Sequence, residues 1–224
     1  MTYKQVRVAV IDTGINGDDP YAKHIRGYRD FVTNKDDIKQ AKTGHGTNSV
    51  NLICKVYAEP ETYVARVFEH DQTNERYARS DATGNTPKKF SGSIANSRRQ
   101  YNIIASGFER DHASMRKAIK SAVSDGTLVF TAAFSYGNIR QVTFPARMQN
   151  VICGHYTDGR AKVSRSINPA AQTTKSKNFA ILGEGVSVPP ATLTGTSVAT
   201  SIAASLAGRL LDISRQRDGQ QRIR

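Results

Sequence analysis

The sequence contains no tryptophan, and aromatic residues make up only 8% of it, so any core must be filled mainly by aliphatic and small side chains. Cysteine is almost absent. Cys54 and Cys153 are the only two, and both lie in apolar contexts (LICKV and NVICG). That pattern reads as buried free thiols and argues against a disulfide-stapled scaffold. No apolar run approaches the ~20 residues of a membrane-spanning helix, so no membrane partner is expected. No basic–apolar–small leader opens the chain, because MTYKQVRVAVIDTG leads straight into an apolar strand. These absences together point to a reducing, intracellular setting, cytoplasmic in the simplest reading.

Acidic residues are scarce. Nineteen Asp and Glu face 32 Lys and Arg, a formal net charge of +13. The basic residues are scattered, with the short pairs Lys88-Lys89, Arg98-Arg99 and Arg116-Lys117 and the tail ISRQRDGQQRIR. Neither aromatic interleaving nor a nucleic-acid motif accompanies them, so the charge reads as a basic solvated exterior and not as a nucleic-acid surface. Internal repeats and a convincing linker are both lacking. A chain of 224 residues then suits one domain, 1–224, ending in a basic tail at about 212–224.

What is present alternates. Apolar, β-branched runs at 6–11 (VRVAVI), 62–68 (TYVARVF), 101–108 (YNIIASGF), 127–134 (TLVFTAAF), 150–156 (NVICGHY) and 178–185 (NFAILGEG) read as strands. Helices are expected at 46–58 and at 112–126, where Met115, Ile119 and Val123 share a face before Gly126. Residues 71–100 are polar and read as a surface excursion. Strands alternating with helices imply right-handed crossovers, hence an α/β fold of three layers with a mostly parallel sheet covered on both faces.

The stretch LTGTSVATSIAASLAG (193–208) is ringed by small and apolar residues and reads as a buried helix, with Ser197 at its start. By itself that serine is a plain helix cap. Asp12, directly after the first strand, is by itself a turn residue. His45, between two glycines in TGHGT, is by itself a loop histidine. Together they are the three groups that nucleophilic catalysis needs: a hydroxyl, a base to take its proton, and a carboxylate to fix the base's tautomer. Reactive groups of parallel sheets gather where strands end, and each of these three sits at an element terminus.

The segments VAVIDTGI, GHGT and GTSVAT resemble the three signature blocks of the subtilisin-like serine proteases, in the same order along the chain. The likeness spans most of residues 5–211 and is nearest to the compact intracellular subtilases of fungal proteins. The resemblance implies a subtilisin-like fold and a serine endopeptidase acting on protein or peptide substrates. Ser197 would be the nucleophile, His45 the general base and then acid, and Asp12 the carboxylate that orients His45. It implies substrate pairing beside 104–108 and 131–135, with Ser106, Gly107, Ala132 and Ala133 as candidate contacts. A secreted member carries a signal and a pro-segment, and neither precedes residue 6, so an intracellular form or a domain cut from a larger multidomain protein is expected.

The chain also departs from the family pattern. Where the family has the oxyanion Asn, this sequence has Ser135, with Asn138 three residues later. Asn48 replaces a His and Ser201 a Pro, and only ASGFE (105–109) stands for the usual Ser-Leu-Gly groove segment. Losing an oxyanion donor costs about 10²–10³ in rate, so a pseudoprotease or recognition domain with weak turnover is the alternative. Asp18-Asp19 and Asp36-Asp37 read as solvated turns, and no metal or cofactor site is assigned.

Overall fold

The computed structural model describes residues 5–36, 39–58, 60–69, 101–104, 111–133, 142–162 and 177–215. Among these residues, seven strands form one parallel sheet in the order β2-β3-β1-β4-β5-β6-β7. They are β1 (Arg7–Asp12), β2 (Ile25–Asp30), β3 (Glu61–Arg66), β4 (Tyr101–Ile104), β5 (Leu128–Ala132), β6 (Ile152–Thr157) and β7 (Lys177–Leu182). Helices α1 (His45–Val56) and α3 (Thr196–Arg215) pack against each other on one face. Helix α2 (Ala113–Ser124) covers the other, burying Met115, Ile119 and Ala122 against Ile11 and Val129. The expected three-layer α/β fold is the one observed.

Alternation within β1 builds both cores. Val8 and Val10 face α1 and α3 in a cluster with Val50, Ile53, Val64, Phe130 and Ala204, while Ile11 faces α2. The chain leaves β1, forms β2 and β3 on one side, then crosses to β4 on the other, so the carboxyl end of β1 is a topological switch point. Asp12 is the residue at that point.

Two features were not legible in the sequence. Strand β2, IRGYRD, lies at the sheet edge with Arg26 and Arg29 exposed, so it carries no continuous apolar run. The stretch around Pro189-Pro190 is a short antiparallel hairpin, β8 (Val186–Val188) with β9 (Ala191–Leu193), each strand too short to show a period. The 71–100 excursion lies outside the described residues.

Helix α3 also runs past Gly208. That glycine is not a stop: a Cβ there would meet the Tyr57 ring at 3.3 Å, so its bareness lets the helix pass close to α1. Residues 198–205 are buried without interruption, whereas Leu206, Leu210 and Ile213 are exposed. The small side chains serve contact with β6, since a Cβ on Gly154 would sit 2.5 Å from Thr200 Oγ1. Cys54 and Cys153 are free and buried; burial pushes their thiols up to about 11 and about 12. Thiols held that high are inert at neutral pH.

Candidate active site

Strands of a parallel sheet all end at one edge, and the helices connecting them begin there. Asp12 ends β1, His45 opens α1, and Ser197 is the second residue of α3. Asp12 and His45 are joined directly. His45 Nδ1 lies 2.8 Å from Asp12 Oδ1 and 3.0 Å from Oδ2, with the carboxylate wholly buried and the imidazole 19% exposed. A carboxylate only accepts, so the Nδ1 proton belongs to the imidazole and Nε2 is the basic nitrogen.

The carboxylate has two further donors. The Thr13 N–H reaches Oδ1 at 2.7 Å, and the Ser49 hydroxyl reaches Oδ2 at 3.2 Å. The loop after β1 is stitched to the start of α1 by more bonds. The Gly46 N–H donates to Thr13 Oγ1 (3.0 Å), the Thr43 hydroxyl to the same oxygen (3.3 Å), and the Asn16 N–H to Thr47 Oγ1 (3.0 Å). Backbone touches backbone here, because a Cβ on Gly46 would fall 2.2 Å from the Gly14 carbonyl oxygen. The glycine after His45 is therefore a packing requirement.

Ser197 is half-buried where α3 begins, beside α1. Its approach is fixed by the Gly195 N–H, which donates to the Gly183 carbonyl after β7 (2.9 Å), and by Gly195 itself at φ +155°. The first amides of a helix lack intrahelical acceptors and carry the positive end of its dipole, so an oxyanion formed at Ser197 meets donors and favourable charge. Ser201, at the position where the resemblance expects proline, donates its hydroxyl to the Ser197 carbonyl (3.0 Å).

Ala132 and Ala133 are buried, and the Ala133 N–H is engaged with the Gly154 carbonyl at 3.1 Å. That amide is thus not the one a substrate would use. Ser106, Gly107, Ser135 and Asn138 lie outside the described residues. Of the acidic turn residues, Asp19 accepts from the Tyr21 N–H (2.9 Å) and the Asn51 amide (3.0 Å), and Asp36 from the Asp30 N–H (2.8 Å). Asp37 falls outside the described residues.

Sequence reading missed a second buried pair nearby. Arg66 Nη1 donates to Asp30 Oδ2 at 2.9 Å, and both side chains are fully buried. Asp30 also accepts from the Val32 and Thr33 N–H groups, the Thr33 hydroxyl and the Gln40 amide. Burial alone would raise its carboxyl, but the Thr33 and Arg66 donors outweigh that and pull it down to about 2. An arginine closing β3 directly after Tyr63, Val64 and Ala65 was the available signal.

The fold is that of the subtilisin-like proteases. A cold-adapted subtilisin-like serine proteinase superposes over 94% of this chain and 76% of its own, with TM-score 0.78 and 20% identity. A lanthipeptide protease matches over 96% and 78% (TM-score 0.73, 18% identity), and the prenylagaramide maturation protease PagA over 95% and 77% (TM-score 0.71, 16% identity). No protein-family model matches the sequence, and no curated protein matches it.

Proposed function

We propose that this chain is a serine endopeptidase of the subtilase family that hydrolyses peptide bonds through an acyl-enzyme on Ser197. The observation that carries this reading is the buried Asp12–His45 hydrogen bond of 2.8 Å at the switch point of a subtilisin-like sheet, beside the helix whose first turn carries Ser197. Asp12 holds His45 in the Nδ1–H tautomer. Nε2 then takes the Ser197 proton as Oγ attacks the scissile carbonyl carbon, and the resulting oxyanion is met by the Ser197 N–H. His45 returns that proton to the leaving amine, which departs and leaves the acyl-enzyme. A water, deprotonated by Nε2, attacks the ester; the proton goes back to Ser197 as the acid product leaves. Substrates are proteins or peptides. The peptidase domain spans the chain, and its basic tail begins within the last turn of α3.

Two buried free thiols fit a reducing compartment and support an intracellular site of action. Among the described residues, no helix is long and apolar enough to cross a membrane.

The deciding experiment is labelling with a fluorophosphonate probe. Wild type should label and Ser197→Ala should not. Equal labelling of the two removes Ser197 from the nucleophile's role, and a folded but unlabelled wild type favours the second reading, a recognition domain with weak turnover. That second reading rests on Ser135 standing where the resemblance expects an oxyanion Asn. If a missing donor is the defect, Ser135→Asn should raise kcat up to about 10²-fold with KM unchanged, because the bond forms only in the transition state. Should Asn138 already supply the donor, Asn138→Ala is the damaging change instead.

A further inference from the structure

Helical hydroxyls that are buried usually donate back to the carbonyl one turn earlier. Thr200, Ser201 and Ser205 on α3 all do so, at 2.7, 3.0 and 2.6 Å. Ser49 on α1 is equally buried, at 3% exposure, and its hydroxyl goes instead to Asp12 Oδ2 at 3.2 Å. Ser49 follows His45 by one helical turn, so one face of α1 presents both side chains to a single carboxylate.

The two oxygens of Asp12 are held unequally. Oδ1 takes the Thr13 main-chain N–H at 2.7 Å as well as His45 Nδ1 at 2.8 Å. Oδ2 takes His45 Nδ1 at 3.0 Å and, apart from that, the Ser49 hydroxyl. Rotation about the bond to a carboxylate is soft. With Oδ1 alone anchored to the main chain, the carboxylate plane could turn about that anchor and present Nδ1 with a poorer acceptor.

We propose that Ser49 is a positioning residue of the hydrolytic site: its hydroxyl locks the Asp12 carboxylate plane and thereby the orientation of His45. The catalytic consequence rests on the peptidase reading above; the geometric consequence does not. Thr47 and Thr13 tie the same loop through their hydroxyls, but neither hydroxyl reaches the carboxylate. Ser49 therefore acts on Asp12 directly, whereas they act on the backbone that carries it.

The test compares Ser49→Val with Ser49→Thr, which share a shape and differ in the hydroxyl. Fluorophosphonate labelling rate and kcat should fall about tenfold in the Val variant relative to the Thr variant, with KM within about twofold. Proton NMR supplies a readout that needs no activity. The low-field resonance of the His45 Nδ1 proton should coincide in wild type and Thr variant and be displaced or broadened in the Val variant. If the added methyl prevents folding, Ser49→Ala against wild type gives the same two readouts. In a wild type that labels, equal rates for the Val and Thr variants overturn the proposal. In a wild type that does not label, the peptidase reading fails by itself: a displaced resonance then upholds the positioning role, and an unmoved one overturns it.

Discussion

Asp12 and Asp30 close strands β1 and β2, on either side of β3, and both carboxylates are fully buried. The sheet register aligns them through one residue, since Arg66 pairs with Asp30 on one side and with Asp12 on the other. Their partners differ. Asp30 faces Arg66 in a fully buried ion pair, and further donors from Thr33 and Gln40 fix its geometry. Asp12 faces His45, a neutral-capable imidazole that keeps part of its ring in solvent. One carboxylate at this edge holds the loops in place, and on the proposed reading the other orients the group that exchanges protons. Burial by itself does not distinguish a structural carboxylate from a reactive one; the partner does.

The largest expected effect lies on the His45 side. His45→Ala and Asp12→Asn should each lower peptidase turnover by about 10³–10⁴ or more, Asp12→Asn by admitting the wrong imidazole tautomer. Thermal unfolding of His45→Ala should move by only a few degrees, because the ring sits at an element end and outside the apolar clusters. Turnover within a few-fold of wild type in either variant would sink the assignment of the pair. On the other side the ranking reverses. Asp30→Ala leaves Arg66 charged and buried without its counter-ion, an expected loss of about 3–5 kcal/mol in denaturant unfolding. Replacing both partners by apolar residues (Asp30→Leu with Arg66→Met) should cost less than the two single changes added together, since no charge is stranded. Additive losses would show that the two side chains act separately.

That contrast also explains how much could be read in advance. Asp12 stands at a strand end, His45 between two glycines and Ser197 at the head of an apolar stretch, all of which the sequence reveals, and β1, α1 and α3 follow from their apolar runs. Asp12 and His45 prove to be hydrogen-bonded partners. Ser49 and Thr13 were invisible because a serine or threonine in a helix or turn has many ordinary uses, and only the fold shows that their donors converge on Asp12. Asp30 and Arg66 lie 36 residues apart, and the strand that carries Asp30 is an edge strand without an apolar signature. Pairing across strands needs the strand order, and that order is a tertiary fact: β1 sits between β3 and β4, parted from its sequence neighbour β2 by β3. Gly208 misled for a related reason, since it reads as a helix terminator until the ring of Tyr57 is seen against it.

The smallest of the expected effects sharpens the same comparison with acid. The Asp30 carboxyl titrates at about 2 in the folded protein, below its ordinary value of 3.8, because the donors from Thr33 and Arg66 outweigh the cost of burial. A group whose folded pKa is depressed stabilises the protein fully above its unfolded pKa and loses that contribution as pH falls toward the folded one. Asp30 should therefore contribute on the order of 2 kcal/mol at pH 6, and that share should drain away between about pH 4 and pH 2. Urea unfolding at pH 6, 4 and 3 measures it. The gap in stability between wild type and Asp30→Asn should be widest at pH 6, narrower at pH 4 and narrower again at pH 3. His45→Ala provides the control, since its gap from wild type contains no part of the Asp30 titration. A gap for Asp30→Asn that stays constant from pH 6 to pH 3 would mean that the carboxylate's charge is not what the Thr33 and Arg66 donors stabilise.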